Sequence, residues 1–156
     1  MKNRLYIKRF MIKSRETDFY FWVLLYENIQ DLRKDVDNYN LEVRGNVDPT
    51  DKKTLGICHP FTRVKIGNDG KEQLVKNIGI IRLCTQYCGT EITSHEVVHA
   101  ALWQYRLEYG TERIDGSVEN ADFGRSCSEK EEEFAHLYGQ LYSNFVKRMY
   151  QLGEWK

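Results

Sequence analysis

Apolar and polar positions alternate over residues 4–12, where Leu5, Ile7, Phe10 and Ile12 are set against Arg4, Lys8 and Arg9, with a slip of phase near Arg9–Phe10. A period of two is that of a strand with one face buried. A polar turn at 14–18 leads into the run 19–26, aromatic and branched throughout, which predicts a central strand hairpinned to the first. Over 27–39 the period changes. Ile29, Leu32, Val36 and Tyr39 recur at helical spacing. Residues 45–53 read as loop, with Asp48-Pro49-Thr50-Asp51 as turn chemistry. Strand character returns over 54–66, broken at His59-Pro60, and Gly67-Asn68-Asp69-Gly70 is a strong turn. Residues 77–85, with Ile78, Ile80, Ile81 and Leu83, predict a further strand. From Thr90, placed as an N-cap, Val97, Val98, Ala101, Leu102 and Tyr105 form the apolar face of a helix that runs to about Tyr109 and stops at Gly110. A polar loop is expected over 110–125. A last helix is expected over 126–152, opening on a capping box of Ser126 with Glu129 or Ser128 with Glu131.

Composition narrows the class. The chain of 156 residues is long enough for one domain with an ordinary core, and 1–156 is read as a single domain without repeat or linker. Ten tyrosines and only two prolines make it globular rather than disordered. Formal net charge is zero, so the molecule as a whole has no bias toward nucleic acid or membrane, and nucleic acid is not expected as a partner. The charge is uneven, however. The first fifteen residues carry Lys2, Arg4, Lys8, Arg9, Lys13 and Arg15 and no acid, which reads first as the solvated face of an edge strand. The apolar run at 19–26 is too short to cross a bilayer and no signal-peptide cleavage pattern follows it, so a soluble, cytoplasmic protein is expected. Cys58, Cys84, Cys88 and Cys127 are then expected as free thiols. The Cys84/Cys88 spacing is only a weak metal signal without a second close pair.

The chemistry lies in His95-Glu96-Val97-Val98-His99, inside the expected helix. Residues four apart share a helix face one turn apart, so both imidazoles can reach one zinc ion. The adjacent glutamate can serve as general base toward a zinc-activated water. With only four histidines in the chain, two at this spacing around a glutamate are informative. A hydrolytic zinc site needs a third protein ligand. The last helix offers Glu129, Glu131, Glu132, Glu133 and His136. Ala135, Gly139 and Ser143 lie three, seven and eleven residues beyond Glu132, a stripe of small residues that would let this helix approach the motif helix. Glu131 heads a stripe through Phe134, Tyr138 and Tyr142 that reads as core packing. Glu132 is therefore the first choice, Glu131 the second, and His136 a partner of a ligand or a ligand itself.

Together, His95-Glu96-Val97-Val98-His99 and the later Glu132-Glu133-Phe134-Ala135 resemble the gluzincin branch of zinc metallopeptidases, over roughly residues 78–145. In that family the third ligand is a glutamate on a second helix, commonly followed three residues later by alanine, as Glu132 is by Ala135. The next position is often aspartate there and is His136 here. The metzincin extension is absent. The small size is similar to compact zincin-type proteins of phages and mobile elements. The resemblance implies an α+β fold: a minimal zincin-like domain, its small mixed or antiparallel sheet packed on the motif helix, with a long C-terminal helix. It also implies one zinc ion held by His95, His99 and Glu132, with Glu96 as catalytic base on a protein or peptide substrate.

Tyr138, Tyr142, His136 and Arg113 are unranked candidates for stabilising the oxyanion. The strand at 78–85 would pair with an extended substrate if it is an edge. Two other readings stand beside the peptidase. One is a zincin-like binding or regulatory protein with little catalysis. The other is a nucleic-acid-associated protease resembling SprT-like proteins, with His136 as third ligand.

Overall fold

The computed structural model describes residues 4–45, 48–109 and 127–156. The loop expected at 110–125, the stop at Gly110, the cap at Ser126 and the oxyanion candidate Arg113 lie outside the described residues, as do the side chains of Cys127 and Ser128. The elements are β1 (Lys8–Lys13), β2 (Tyr20–Tyr26), α1 (Ile29–Arg44), β3 (Gly56–Pro60), β4 (Val64–Ile66), β5 (Glu72–Leu74), β6 (Asn77–Cys84), α2 (Thr90–Tyr109) and α3 (Cys127–Gln151). This is an α+β fold. Its main sheet is mixed, in the order β1-β2-β6-β3, and β4 with β5 forms a small separate hairpin.

β1 and β2 form the expected antiparallel hairpin, with Lys8 opposite Leu25 and Lys13 opposite Tyr20. β2 then runs parallel to β6, and β6 antiparallel to β3. A parallel neighbour requires a crossover, and α1 with β3, β4 and β5 supplies it. The two inner strands, β2 and β6, are the most apolar segments of the chain because both faces of β6, and of the Leu24–Tyr26 end of β2, are covered.

One sheet face carries Phe10, Ile12, Phe21, Val23, Leu25, Ile81 and Leu83. They pack against Val97, Ala100, Ala101 and Tyr105 of α2 and Leu137, Leu141, Phe145 and Met149 of α3. The α3 set repeats every four residues, the stripe of a helix laid on a core. Burying each such side chain contributes about 1.5–3 kcal/mol. The other face carries Leu24, Tyr26 and Cys84, covered by Ile29, Leu32 and Val36 of α1.

Several boundaries differ from the sequence reading, each for a local reason. In the first strand the core takes Phe10 and Ile12, whereas Ile7 is 46% exposed and on the opposite face. Leu5 packs with the α1 layer ahead of the strand. α1 begins at the Asn28 cap, whose side chain accepts the Asp31 N–H at 2.9 Å, and runs past Tyr39 to Arg44. It stops where Gly45 adopts φ 63°, a left-handed geometry that glycine reaches without steric cost. The break expected at His59-Pro60 falls later: Pro60 ends β3 as a strand residue. β5 had no signal in the hydropathy pattern, because all three of its residues are exposed and the Gly67–Gly70 turn alone brings it onto β4. Thr90 is the first helical residue of α2 rather than its cap. No helix among the described residues is long and apolar enough to cross a membrane.

Candidate functional site

α2 lies across the β3 side of the sheet, and close packing there depends on Gly56. A Cβ at Gly56 would stand 3.0 Å from Ile92 Cγ2, 3.0 Å from Leu83 Cδ2 and 3.3 Å from Glu96 Cγ. A glycine at this point of β3 lets the motif helix settle onto the strand. The turn that bears the motif is also tied to α3. The Ser94 and Tyr138 hydroxyls lie 2.6 Å apart, and the Tyr138 and Tyr142 rings stack at 5.7 Å.

Within this frame His95 and His99 sit one turn apart on the exposed side of α2 and turn their Nε2 atoms toward each other, 3.1 Å apart. The rings meet edge to face. Nitrogens at that separation can hydrogen-bond to each other and would both reach a zinc ion bound between them. Burial, and then the neighbouring His95, hold His99 below the ordinary histidine range. That favours the neutral imidazole, the form that binds a metal.

Glu96 points to a different side of the helix, into the packing against β3, and is 6% exposed. Burial raises its pKa; the charge of His95 and the backbone N–H of Cys58 pull it the other way. The Cys58 thiol lies in the same packing, and burial followed by the Glu96 charge pushes it well above the usual range.

The surroundings of His95 open on two sides. Toward β3 a cleft of about 300 Å³ is bounded by Thr54, Gly56, Glu91, Ile92, His95 and Glu96. Toward α3 a shallower depression is bounded by Ser94, His95 and Tyr142. β3 is an edge of the sheet. Phe61 N–H donates to the Ile78 carbonyl at 3.0 Å, so by the alternation of an antiparallel ladder Gly56, Cys58 and Pro60 turn their backbone outward. Cys58 spends its outward N–H on Glu96. Pro60 has no N–H to offer, which suits an edge. The strand at 78–85 is not an edge. β6 is paired on both sides, by β2 and by β3, so it offers no place for an added strand.

The acidic turn of α3 is arranged differently from the expectation. Ala135, Gly139 and Ser143 are exposed, and a Cβ built on Gly139 would meet nothing within 4 Å. The small stripe therefore faces away from α2, and the helices meet instead through Phe134, Tyr138 and Tyr105. Glu131 and Glu132 are both exposed. Glu133, half-buried, accepts a hydrogen bond from the Tyr105 hydroxyl at 3.2 Å and is a carboxylate that α3 turns toward α2. His136 is exposed, with Nε2 at 2.8 Å from Gln140 Nε2 and 3.4 Å from Glu16 Oε1 at the β1–β2 turn. Among the described residues, no third His, Cys, Asp or Glu gathers with His95 and His99 into a group able to hold a metal. Cys58, Cys84 and Cys88 are free thiols.

Three features of this site had no sequence signal strong enough to single them out: the Cys58 N–H on Glu96, the Ser94–Tyr138 contact and the inward turn of Glu133. Gly56, inside the strand expected over 54–66, was the one residue that could have marked the close approach. In comparisons with known proteins the chain matches no family model, no curated protein and no solved structure.

Proposed function

We propose that this chain is a zinc-dependent metallopeptidase. The observation that carries the reading is the convergence of His95 and His99 Nε2 at 3.1 Å beside a buried Glu96 of raised pKa. His95 and His99 supply two nitrogen donors of the kind zinc takes, close enough to share one ion. His95 and His99 would hold the ion. Glu132 enters as third ligand on its spacing to Ala135 alone. Zinc bound there supplies Lewis acidity, lowering the pKa of water and polarising a carbonyl.

The remaining work falls to the chain's own side chains. Glu96 takes a proton from the attacking water as the C–O bond forms, then delivers it to the amine nitrogen as the C–N bond breaks. Burial raises its pKa, which makes the carboxylate a stronger base for the first transfer. Of the oxyanion candidates, Tyr142 borders the depression at His95, Tyr138 is engaged with Ser94, and His136 is engaged with Gln140 and Glu16. Tyr142 therefore ranks first. A protein or peptide substrate suits the cleft along β3, whose outward Gly56 and Cys58 carbonyls can receive an extended chain.

The test combines metal analysis with a generic peptidase assay. Wild-type protein should hold about one zinc per chain. His95→Ala with His99→Ala should hold none. Glu96→Gln should keep the metal and lose cleavage. A second reading, a zincin-like binding protein without catalysis, draws support from the lack of a gathered third ligand among the described residues. Zinc retention together with equal, trace cleavage in wild type and Glu96→Gln would favour it.

A further inference from the structure

Among the described residues, the face of the sheet opposite the histidine pair is covered at one end only. α1 lies over Leu24, Tyr26 and Cys84. Among the described residues, no helix packs on the opposite end, made by β1 and the start of β2. Side chains alternate across a strand, so Arg9, Met11 and Lys13 share this face. The hairpin register sets Met11 beside Trp22 and Lys13 beside Tyr20 on it. Arg9, Met11 and Lys13 are exposed, Met11 to 40%. The Arg9 guanidinium lies 4.3 Å from the centre of the Trp22 ring, and Tyr20 meets Trp22 edge-on at 5.6 Å. The result is a patch of two aromatic rings set edge to face, one thioether and two cations, with no carboxylate among those side chains.

Among the described residues no carboxylate pairs with Arg9 or Lys13. The acids near this hairpin are committed elsewhere: Glu154 to Lys8 on the other face, Glu16 toward His136 of α3, and Asp18 toward Lys76 at 3.9 Å. Zero net charge thus conceals a segregated surface. A solvated edge strand would need lysines but would not need half-buried aromatic rings on the same face beside it. Nor do these rings belong to the core, since Tyr20 and Trp22 are left half-buried.

From this juxtaposition we infer that the open face formed by Arg9, Met11, Lys13, Tyr20 and Trp22 binds single-stranded nucleic acid. Cations meet phosphates and rings stack on bases, the two elements of sequence-tolerant single-strand binding. Arg9 and Lys13 are four residues apart on one strand, about 13 Å, so each meets a different phosphate. Trp22, with the Arg9 plane over it, and Tyr20 supply the stacking surfaces. An unstacked strand is favoured over a duplex because a flat sheet face reaches bases only where they are splayed out. Nothing in this inference depends on the zinc reading, as the two sites lie on opposite faces of the sheet.

Fluorescence anisotropy of a labelled oligothymidylate of about twelve nucleotides, at about 50 mM salt, tests it. Wild type should bind, with an oligouridylate of equal length bound comparably and a hairpin duplex more weakly. Arg9→Ala with Lys13→Ala should weaken binding at least about fivefold and flatten the log–log salt slope by about 1.4, two phosphate contacts on a single strand. Trp22→Leu should weaken binding at least about fivefold with folding intact by circular dichroism. Should that variant unfold, the paired surface substitutions still decide. Lys71→Ala with Lys147→Ala removes the same charge elsewhere and should leave binding unchanged. Absence of binding, an equal loss in the Lys71/Lys147 control, or preference for the duplex would overturn the inference. So would binding to phosphatidylserine vesicles, in place of oligonucleotide, that depends on Arg9 and Lys13; that outcome would make the face a membrane contact.

Discussion

Glu96 on α2 is packed against β3 and accepts the Cys58 N–H, whereas Glu132 on α3 is exposed, on the side of the helix that carries the exposed Ala135 and Gly139. Both were selected from the sequence by spacing: Glu96 by two flanking histidines, Glu132 by an alanine three residues on and a row of small side chains. The difference lies in range. His95, Glu96 and His99 belong to one turn of one helix, so helical geometry alone sets their separation. Glu132 has to be brought to them by the packing of a second helix. That packing is decided by the large side chains Phe134, Tyr138, Leu141 and Phe145, not by the small ones.

The largest effect expected is on turnover at the local half of this comparison. Glu96→Gln should lower the rate by about 10²–10⁴ with zinc content unchanged, measured in parallel by peptide cleavage and metal analysis. Undiminished cleavage would break the assignment of Glu96 as base. Next comes the anchor of the distant half. Phe145, fully buried and packed with Phe10 and Trp155, holds α3 on the sheet. Phe145→Ala should cost about 3–5 kcal/mol in urea unfolding.

A third test reaches the strand under Glu96 from its other side. His59 stacks on Tyr39 at 4.6 Å and meets Arg82 Nη1 at 2.8 Å, while Arg82 Nε donates to Asp35 at 2.9 Å. Burial, then the charges of Arg82 and Arg44, lower the His59 pKa to about 4, against the opposing pull of Asp35. The unfolded chain therefore binds a proton between pH about 6.5 and 4 that the folded chain refuses. Stability from this group is complete above pH 6.5 and is lost as pH falls toward 4, by up to about 3 kcal/mol. The difference in urea midpoint between wild type and His59→Gln, followed from pH 7 to 4.5, isolates it. Parallel curves would show that His59 is not held neutral.

Smaller still, Gly56→Ala places a methyl group 3.0 Å from both Ile92 and Leu83 and should destabilise by about 1–3 kcal/mol. Its zinc content should hold, since the histidine pair does not touch the strand in the same way as Glu96. Smallest in stability is Glu132→Ala, within about 0.5 kcal/mol for an exposed residue. Its readout is zinc affinity, compared with Glu131→Ala and Glu133→Ala. Loss confined to Glu132→Ala would rejoin the two halves. Loss confined to Glu133→Ala would move the third ligand to the carboxylate that already faces α2.

The legible parts of the chain share a property. Strands β2 and β6 and helices α2 and α3 bury much of their surface, so their periodicity is imposed by the core and can be read back from it. β5 was not legible because three exposed residues carry no such imprint. The extension of α1 over Asn40–Arg44 was missed for the same reason: its buried residues end at Val36, and only the left-handed Gly45 marks the stop.

By itself the sequence determined the elements that bury a face, the turn that separates them, and the placing of two imidazoles and one carboxylate on a single helical turn. Each of these follows from interactions between residues close in the chain, whose geometry is nearly the same in any fold. Only the tertiary structure decided that β3 rather than β6 is the edge beside the motif, that Glu96 is buried on Cys58, that the small stripe of α3 faces outward, and that the basic first strand lies beside uncovered aromatic rings. Those outcomes depend on which large side chains find one another across the sheet. That competition is settled by total buried area and shape over the whole molecule, and no local pattern records it.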